Sequence, residues 1–425
     1  MSVPSAIMKS GSLQVPGKTY LVGGAVRDEL LGLGLSDRDY VVVGSTPDAM
    51  LDAGFKPVGK DFPVFLHPET HEEYALARVE RKTGAGYHGF AFNTDSSVTL
   101  EEDLSRRDLT INAIAKTPDG ELIDPYNGKV DLDNRVLRHV SSAFVEDPVR
   151  LLRVARFMAR FQHLGFAVAN ETHDLMQTLV RGGDVNNLVA ERVWQEMHGA
   201  LAATTPRAFF DTLNTCGALA VILPELAAMD GIPQKAEWHP EIDCYIHTMM
   251  VLEQATRLSK DVNTRFAALC HDLGKAATPQ DLLPAHHGHE ERGAKLTETL
   301  CARLRVPKNP KDLAIMSARY HTHCHRAREL KASTLVKLFK SLDVIRKPDR
   351  FKEFVLVCEA DKKGRLGFED HAYPEAEFLT KAAAVFRQVD TASVARATED
   401  KKRIAEEITH AQVQSIKAWL RTNTE

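Results

Sequence analysis

The sequence predicts an α/β head followed by an all-α body and a further all-α domain. Three observations carry that expectation. Between residues 18 and 150, the apolar runs KTYLV, DRDYVVVG, YALARVE and ELIDP are separated by Gly and Pro, as strands are. From about residue 150, LLRVARFMARF, ERVWQEMHGALA and PRAFFDTLNTCG place apolar residues at helical spacing, and most later segments do the same. Proline-containing breaks at Leu223-Pro224, Gly231-Ile232-Pro233 and Trp238-His239-Pro240 divide the helical part near 225–243. The expected organisation is a head over 1–145, a helical neck and body over 146–227, a second helical domain over 228–345 and a helical tail over 346–425.

Composition narrows the classes. The 425 residues are 44% hydrophobic and 26% charged, which excludes a wholly disordered chain and a fibrous repeat. A net charge of −4 carries no basic excess, so a nucleic-acid surface has to be a local patch. The longest run free of Asp, Glu, Lys and Arg is Thr212 to Pro224, too short to span a bilayer. Cys216, Cys244, Cys270, Cys301, Cys324 and Cys358 are widely spaced and form no CxxC, which suits free thiols in a reducing compartment rather than a zinc ribbon. The N-terminus has no apolar signal segment, so a cytoplasmic protein is expected.

Each element of the head then acquires a chemical reading. TYLVGGAVRDELLG reads strand, Gly23-Gly24 turn, helix. Two glycines let backbone N–H groups approach a phosphate, and a helix N-terminus adds positive potential. By itself such a pair is as often a plain tight turn. Asp37 and Asp39 follow in SDRDYVVVG, at the mouth of an apolar strand. Residues i and i+2 of a strand share a face, so both carboxylates aim at one spot. A divalent cation relieves their repulsion, and Mg²⁺ favours one or two carboxylates plus substrate phosphates. An isolated DxD is more often an Asp-rich turn.

In EDPVRLLRVARF, Asp147 is placed to cap a helix with Pro148 at its first position. Arg150, Arg153, Arg156 and Arg160 then fall within an arc of roughly 120° on that helix. Leu151, Val154, Ala155 and Met158 lie opposite. A charge run is usually a solvated face. This one has no interleaved acid, which points to an anionic partner.

Taken in order, LVGGAVRD, DRDYVVVG, RRDLTINA, IDPYNG and EDPVRLLRVARF resemble the CCA-adding tRNA nucleotidyltransferases and their poly(A) polymerase relatives, over about residues 18–225. The wider superfamily is built like DNA polymerase β, and Arg38 stands where it more often has an apolar residue. The resemblance implies a polymerase-β-like head that binds Mg²⁺ through Asp37 and Asp39 and holds CTP or ATP with Gly24, Arg27, Arg107, Arg153 and Arg156. Arg106, Arg107 and Asp108 would contact ribose and triphosphate, and Glu80 is a third acid or an ion-pair partner. Asp147 and Arg150 would read the base. An acceptor beside a donor complements the Watson–Crick edges of cytosine and adenine, whereas uracil and guanine would leave buried polar groups unpaired, at about 1–3 kcal/mol each.

The helical half is rich in histidine. His271-Asp272 ends the apolar helix pattern RFAALCHDLGK, with His247 upstream. His286, His287, His289, His321, His323, His325 and Asp361 lie downstream. A lone buried His is usually a satisfied core residue. A His-Asp step with separated partners is better explained by a metal. The pattern resembles the HD phosphohydrolase superfamily, which implies His247, His271, Asp272 and Asp361 as ligands, with His289 and His321 as further matches. A mixed N/O donor set suits a transition metal, Ni²⁺, Co²⁺, Mn²⁺ and Fe²⁺ being candidates.

A CCA-adding head joined to an HD domain is similar to the CCA-adding enzymes of Gram-negative bacteria, nearly end to end through WHPEID, LCHDLGK, KLF and RKPDR. The resemblance implies addition and repair of the tRNA 3′-terminal CCA from CTP and ATP, with pyrophosphate released. It also implies phosphatase, 2′-nucleotidase and 2′,3′-cyclic phosphodiesterase activity in the HD domain. The expected partners are tRNA and the two nucleotides, with no membrane, in a monomer or homodimer. A poly(A) polymerase and an HD-containing protein uridylyltransferase remain the alternatives.

Overall fold

The structure, a computed structural model, describes residues 14–34, 37–58, 64–82, 90–93 and 95–423. Packing divides the chain into two compact units. One comprises residues up to Val154 together with Leu164–Leu188, and the other comprises Ala155–His163 with the chain from Val189 onward.

The first unit opens with β1 (Lys18–Val22), α1 (Gly24–Leu30), β2 (Asp39–Val43), α2 (Pro47–Asp52), β3 (Lys56–Val58), β4 (Val64–Leu66) and β5 (Glu73–Leu76). Then come β6 (Val79–Lys82), β7 (Phe90–Asn93), α3 (Leu100–Ser105), β8 (Ala115–Lys116), β9 (Leu122–Ile123), α4 (Gly128–Asp133) and β10 (Val136–Leu137). Seven strands form one mixed sheet in the order β3-β4-β5-β2-β1-β8-β9. Only β2 and β5 run parallel; the other neighbours are antiparallel. The run YVVV belongs to a strand covered on both faces. Val41 packs with Val22, Leu100, Leu104 and Ala115. Val42 packs on the other side with Met50, Phe55, Phe65 and Leu76. A strand buried on two faces reads as a continuous apolar run rather than an alternating one.

YALARVE, expected as one strand, is two. β5 joins the large sheet, and β6 pairs with β7 in a separate antiparallel ribbon. The helix α5 (Val149–Phe161) begins where the sequence places it, with Asp147 Oδ1 accepting a hydrogen bond from the Val149 N–H at 3.0 Å. Leu151, Val154, Ala155 and Met158 are its buried side. After it, β11 (Ala167–Val168) pairs with β10, and α6 (Asn170–Arg181) follows. This pairing attaches 164–188 to the first unit, so the boundaries expected at 145 and 227 do not coincide with the packing.

The second unit is helical: α7 (Ala190–Ala202), α8 (Arg207–Thr215), α9 (Leu219–Ile222) and α10 (Pro224–Ala227) precede an irregular stretch. Then follow α11 (Cys244–Leu258), α12 (Val262–Cys270), α13 (His289–Arg303), α14 (Lys308–His325), α15 (Ala332–Ser341) and α16 (Pro348–Lys363). Three helices complete it, α17 (Pro374–Gln388), α18 (Thr391–Ala397) and α19 (Ile404–Asn423). Asp243 and Asp261 cap α11 and α12 by accepting from the N–H groups of Ile246 and Asn263. α12 packs against α11, α14 and α16, and α13 lies along α14. The boundary expected at 345 therefore separates α16 from the helices it packs on; that set of helices runs to Lys363. All six cysteines are buried and free. No helix among the described residues is long and apolar enough to cross a membrane.

One carboxyl tunes the stability of this helical set. Burial pushes the Glu353 carboxyl up to about 7, and the Asp261 carboxylate beside it adds to the rise. A folded pKa above the unfolded one means that stability falls as pH rises from the ordinary carboxyl range through 7. Because Glu353 is partly solvated, the effect is about 1 kcal/mol after screening. Glu353→Gln should therefore raise stability at pH 8 and leave it unchanged at pH 4. Chemical denaturation at both pH values checks this, and an equal effect at both would remove ionisation as the cause.

Candidate active sites

In the first unit the site is built across three neighbouring strands. Asp39 lies opposite Val22 of β1 on one side and Glu73 of β5 on the other. Gly23 follows Val22 at once with φ 71°, a left-handed conformation that favours glycine. A Cβ on Gly23 would sit 3.1 Å from Arg107 Nη1, so turn and guanidinium are in close contact. Asp37 and Asp39 are both exposed. Burial raises the Asp39 carboxyl, Glu73 and Asp37 raise it further, and Arg107 opposes them. Three carboxylates thus crowd one end of the sheet. That donor set fits a hard divalent cation.

Behind this end, Asp103 is fully buried and accepts from Arg106 Nη2 at 2.8 Å and Arg107 Nη2 at 3.2 Å. Burial alone would raise its carboxyl; the two arginines outweigh burial and hold it below its ordinary value. The Arg107 Nε is buried without a hydrogen bond. Asp108 accepts from Arg153 Nε at 2.6 Å and from Asn112 Nδ2 at 2.9 Å. Arg150 donates to the carbonyls of Ala143 at 2.8 Å and Arg106 at 2.5 Å. Arg150 thus ties the start of α5 to the RRD segment, while Asp147 caps the helix.

In the second unit, α11, α12, α13, α14 and α16 converge on two buried carboxylates. His271 Nε2 lies 3.1 Å from Asp272 Oδ2 and 3.8 Å from Asp361 Oδ1. His247 Nε2 lies 3.2 Å from Asp361 Oδ1 and 3.8 Å from Asp272 Oδ2. On the other side of Asp272, Oδ1 lies 3.3 Å from His289 Nε2 and 3.4 Å from His321 Nε2. Those two nitrogens are 3.2 Å apart. Ligand atoms of His247, His271 and Asp272 lie within 4.8 Å of one another, as do those of Asp272, His289 and His321. Asp272 belongs to both groups.

The backs of these rings are already bonded. The Nδ1 of His271, His289 and His321 faces the carbonyl of Ala268 at 2.7 Å, His286 at 2.8 Å and Ser317 at 2.9 Å. A carbonyl only accepts, so each Nδ1 carries the proton and each Nε2 is left as a lone pair. His247 Nδ1 faces Glu241 Oε1 at 2.9 Å, and His239 braces the same carboxylate at 3.0 Å. Lone pairs aimed at carboxylates, and at each other, are repulsive unless a cation lies between them. His271 Nε2 and Asp272 Oδ1 are buried without an aligned hydrogen bond. The residues fit a metal, and the shared Asp272 fits a pair of them.

Charge balance agrees. Burial would raise Asp272 and Asp361. Lys275 leads the groups that outweigh it at Asp272, and His325 leads them at Asp361, so both carboxyls are held well below the ordinary range. Lys275 Nζ is 2.6 Å from Asp272 Oδ2 and 2.5 Å from Gln234 Oε1. His325 Nε2 is 2.6 Å from Asp361 Oδ2, with Nδ1 against the Tyr373 hydroxyl at 3.0 Å, which makes it a brace for Asp361.

Comparison with known proteins gives a family model for each of the two sites. The chain matches the poly A polymerase head domain over residues 19–138, the probable RNA- and SrmB-binding site of polymerase A over 165–230 and the HD domain over 244–362. The multifunctional CCA protein of Thioalkalivibrio sulfidiphilus is 57% identical over 94% of this chain and 98% of its own length. The chain belongs to the multifunctional CCA protein family. The relative from Dechloromonas aromatica, with the same name, is also 57% identical, over 94% of this chain and 97% of its own. Among solved structures, the Thermotoga maritima CCA-adding enzyme complexed with tRNA shares the fold at TM-score 0.61 and 20% identity, over 94% of this chain and 87% of that one. The Bacillus stearothermophilus CCA-adding enzyme in complex with CTP does so at TM-score 0.60 and 21% identity, over 95% and 92%.

Several side chains of this family member sit differently from the sequence expectation. Arg27 is 3% exposed and donates to Asp28 at 2.9 Å and Asn112 at 2.6 Å, so in this structure it is a buried strut. The arginine row of α5 is not a bare cationic face. Arg153 is paired with Asp108, and Arg156 Nε is 2.5 Å from Glu196 Oε2 in the second unit. Their acids come from other elements, which spacing within the helix cannot reveal. Of the Glu80 side chain nothing is described; the acid aligned with Asp39 is Glu73. Glu73 directly precedes the strand YALARVE expected from the sequence, and the parallel β2–β5 register cannot be read there. Glu241, in WHPEID, was likewise missed as the brace of His247.

Gly274 of the LCHDLGK segment fixes how α13 approaches Asp272. A Cβ there would sit 1.9 Å from the His289 carbonyl oxygen and 2.4 Å from Gly293 N. These are backbone atoms, so α13 has to move. Gly274→Ala should lower stability by about 1–3 kcal/mol and weaken metal retention roughly 10-fold or more. Thermal unfolding and metal content after dialysis check this; unchanged metal content would separate the glycine from the site.

Proposed function

We propose that the head adds C, C and A to the 3′ end of tRNA, without a nucleic-acid template, from CTP and ATP. The observation that carries this reading is the convergence of Gly23, Asp39, Glu73 and Arg107 at one end of three adjacent strands. Family membership supports the same reading. Asp37 and Asp39, with Glu73 beside them, would hold Mg²⁺, which neutralises phosphate charge when bound. Gly24 and Arg107 would hold the triphosphate, with Arg27 and Arg153 supporting that region through their ion pairs and hydrogen bonds. The tRNA 3′-hydroxyl attacks the α-phosphate and pyrophosphate leaves. Positioning and charge compensation carry such transfers.

Asp147 and Arg150 would select the base. Arg150, a donor, stands three residues from Asp147, an acceptor, at the start of α5. Arg150→Ala should reduce discrimination against UTP and GTP by roughly 10-fold or more, the cost of about one unpaired buried group. Single-turnover addition with each nucleotide measures it, and an unchanged CTP/ATP preference would remove Arg150 from base selection.

The HD site is read as a phosphohydrolase acting on phosphate monoesters and 2′,3′-cyclic phosphates of nucleotides. His247, His271, Asp272 and Asp361 would hold one transition metal, such as Ni²⁺; Asp272, His289 and His321 would hold a second. Bound there, the metal supplies Lewis acidity and lowers the pKa of water. Lys275 and Arg365 would bind and orient the phosphate. The free thiols fit the cytoplasm, where tRNA is repaired.

Asp39→Ala should lower nucleotide addition by about 100-fold or more while metal-dependent ester hydrolysis persists. His271→Ala should do the reverse and lose metal. The decisive assay supplies a tRNA lacking CCA with Mg²⁺ and each nucleotide, alone and together. Two C and one A, then arrest, is the expected product. Repeated addition of A alone would instead assign a poly(A) polymerase, and a protein acceptor would assign a uridylyltransferase.

A further inference from the structure

The HD carboxylates lie in an open cavity of about 410 Å³ whose lining includes Trp238, Lys235, Gln234 and Arg365 as well as Asp272 and Asp361. Trp238 is 58% exposed. Exposing so large a ring beside a polar site gives up much apolar burial. The main chain that carries the ring is hydrogen-bonded. The N–H groups of Trp238 and His239 both donate to the Lys235 carbonyl, at 3.0 and 2.9 Å. His239 is tied through Glu241 to His247, a member of the carboxylate cluster. Trp238 therefore has a set relation to the reacting end of the cavity. Arg365 is the second observation. Its Nε is buried without a hydrogen bond, and its guanidinium is 3.9 Å from Asp361. A donor left unsatisfied next to the phosphate position fits an anionic ligand.

We infer that Trp238 is the base platform of the HD site: a nucleotide places its phosphate on the carboxylate and Lys275 end of the cavity and stacks its base on the indole. Stacking uses the π-face that every base has. The site accordingly prefers phosphate esters that carry a base over those that do not, and does not choose among bases. This deepens the phosphohydrolase reading and rests on it.

The test compares the full, metal-loaded chain with Trp238→Ala and Trp238→Phe. Substrates are adenosine and cytidine 2′-monophosphate against glycerol 2-phosphate, which has no base. Trp238→Ala should lower kcat/KM for both nucleotides by roughly 10- to 100-fold, mostly through KM, and leave glycerol 2-phosphate unchanged. Trp238→Phe should restore most of the loss. An equal loss on all three substrates, or none on the nucleotides, overturns the platform. A second readout does not need turnover. A phosphonate analogue of adenosine 2′-monophosphate should quench tryptophan fluorescence in the wild type. The quench should vanish in Trp238→Ala, which keeps Trp194 and Trp419. If no ester is hydrolysed yet the Trp238-dependent quench is present, the hydrolase reading fails and the platform stands. A quench that persists in Trp238→Ala overturns the platform.

Discussion

The helical half of this protein is organised around a buried negative charge. Asp272 is 1% exposed and held ionised, a state that costs several kcal/mol unless partners compensate it. Five residues from three helices and one adjoining turn supply those partners, and Asp361 repeats the problem within a few ångströms. Much else follows from that one constraint. Glycine at 274 lets α13 close on the turn that carries Asp272. His325 and Tyr373 secure Asp361 from behind, and Glu241 secures His247. The ionic cluster would be destabilising in a dry protein core. Its geometry is that of a site awaiting positive charge.

The head solves a gentler version of the same problem at a solvent-facing edge. β2 lies between β1 and β5, so Asp39 has a glycine turn on one side and Glu73 on the other. The arginines behind it are not idle cations. Asp103 clamps Arg106 and Arg107, Asp108 clamps Arg153, and Asn112 receives Arg27. Arginines paired in this way are held in fixed positions, and fixed positions are what positioning catalysis requires.

What was legible in the sequence was local. The strand–turn–helix with Gly23, the DxD step, the capped start of α5 and the His271-Asp272 step are short-range patterns whose physics is contained in a few residues. What depended on distant segments was not. No spacing rule reveals that Glu73 lines up with Asp39 in a parallel register, or that Glu196 meets Arg156. Asp361 follows from the resemblance to HD domains, whereas a boundary at 345 leaves out its helix; α16 packs on α12 and α14, a long-range contact that no local pattern encodes. Among many nearby histidines, membership was decided by ring orientation, which periodicity does not encode. His286, for example, faces Pro233 and Thr278 instead.

Ring orientation has a kinetic consequence. His271, His289 and His321 each have one nitrogen tethered to a main-chain carbonyl three or four residues earlier in the chain. Their torsional freedom is therefore surrendered when the helices form, before any ion arrives. Capture of an ion needs no ring flip and no exchange of tautomer. Were an ion bound there, the slow event would be the shedding of its own hydration shell, so ions that release water quickly would fill the site first and ions that hold water longest would stay in it.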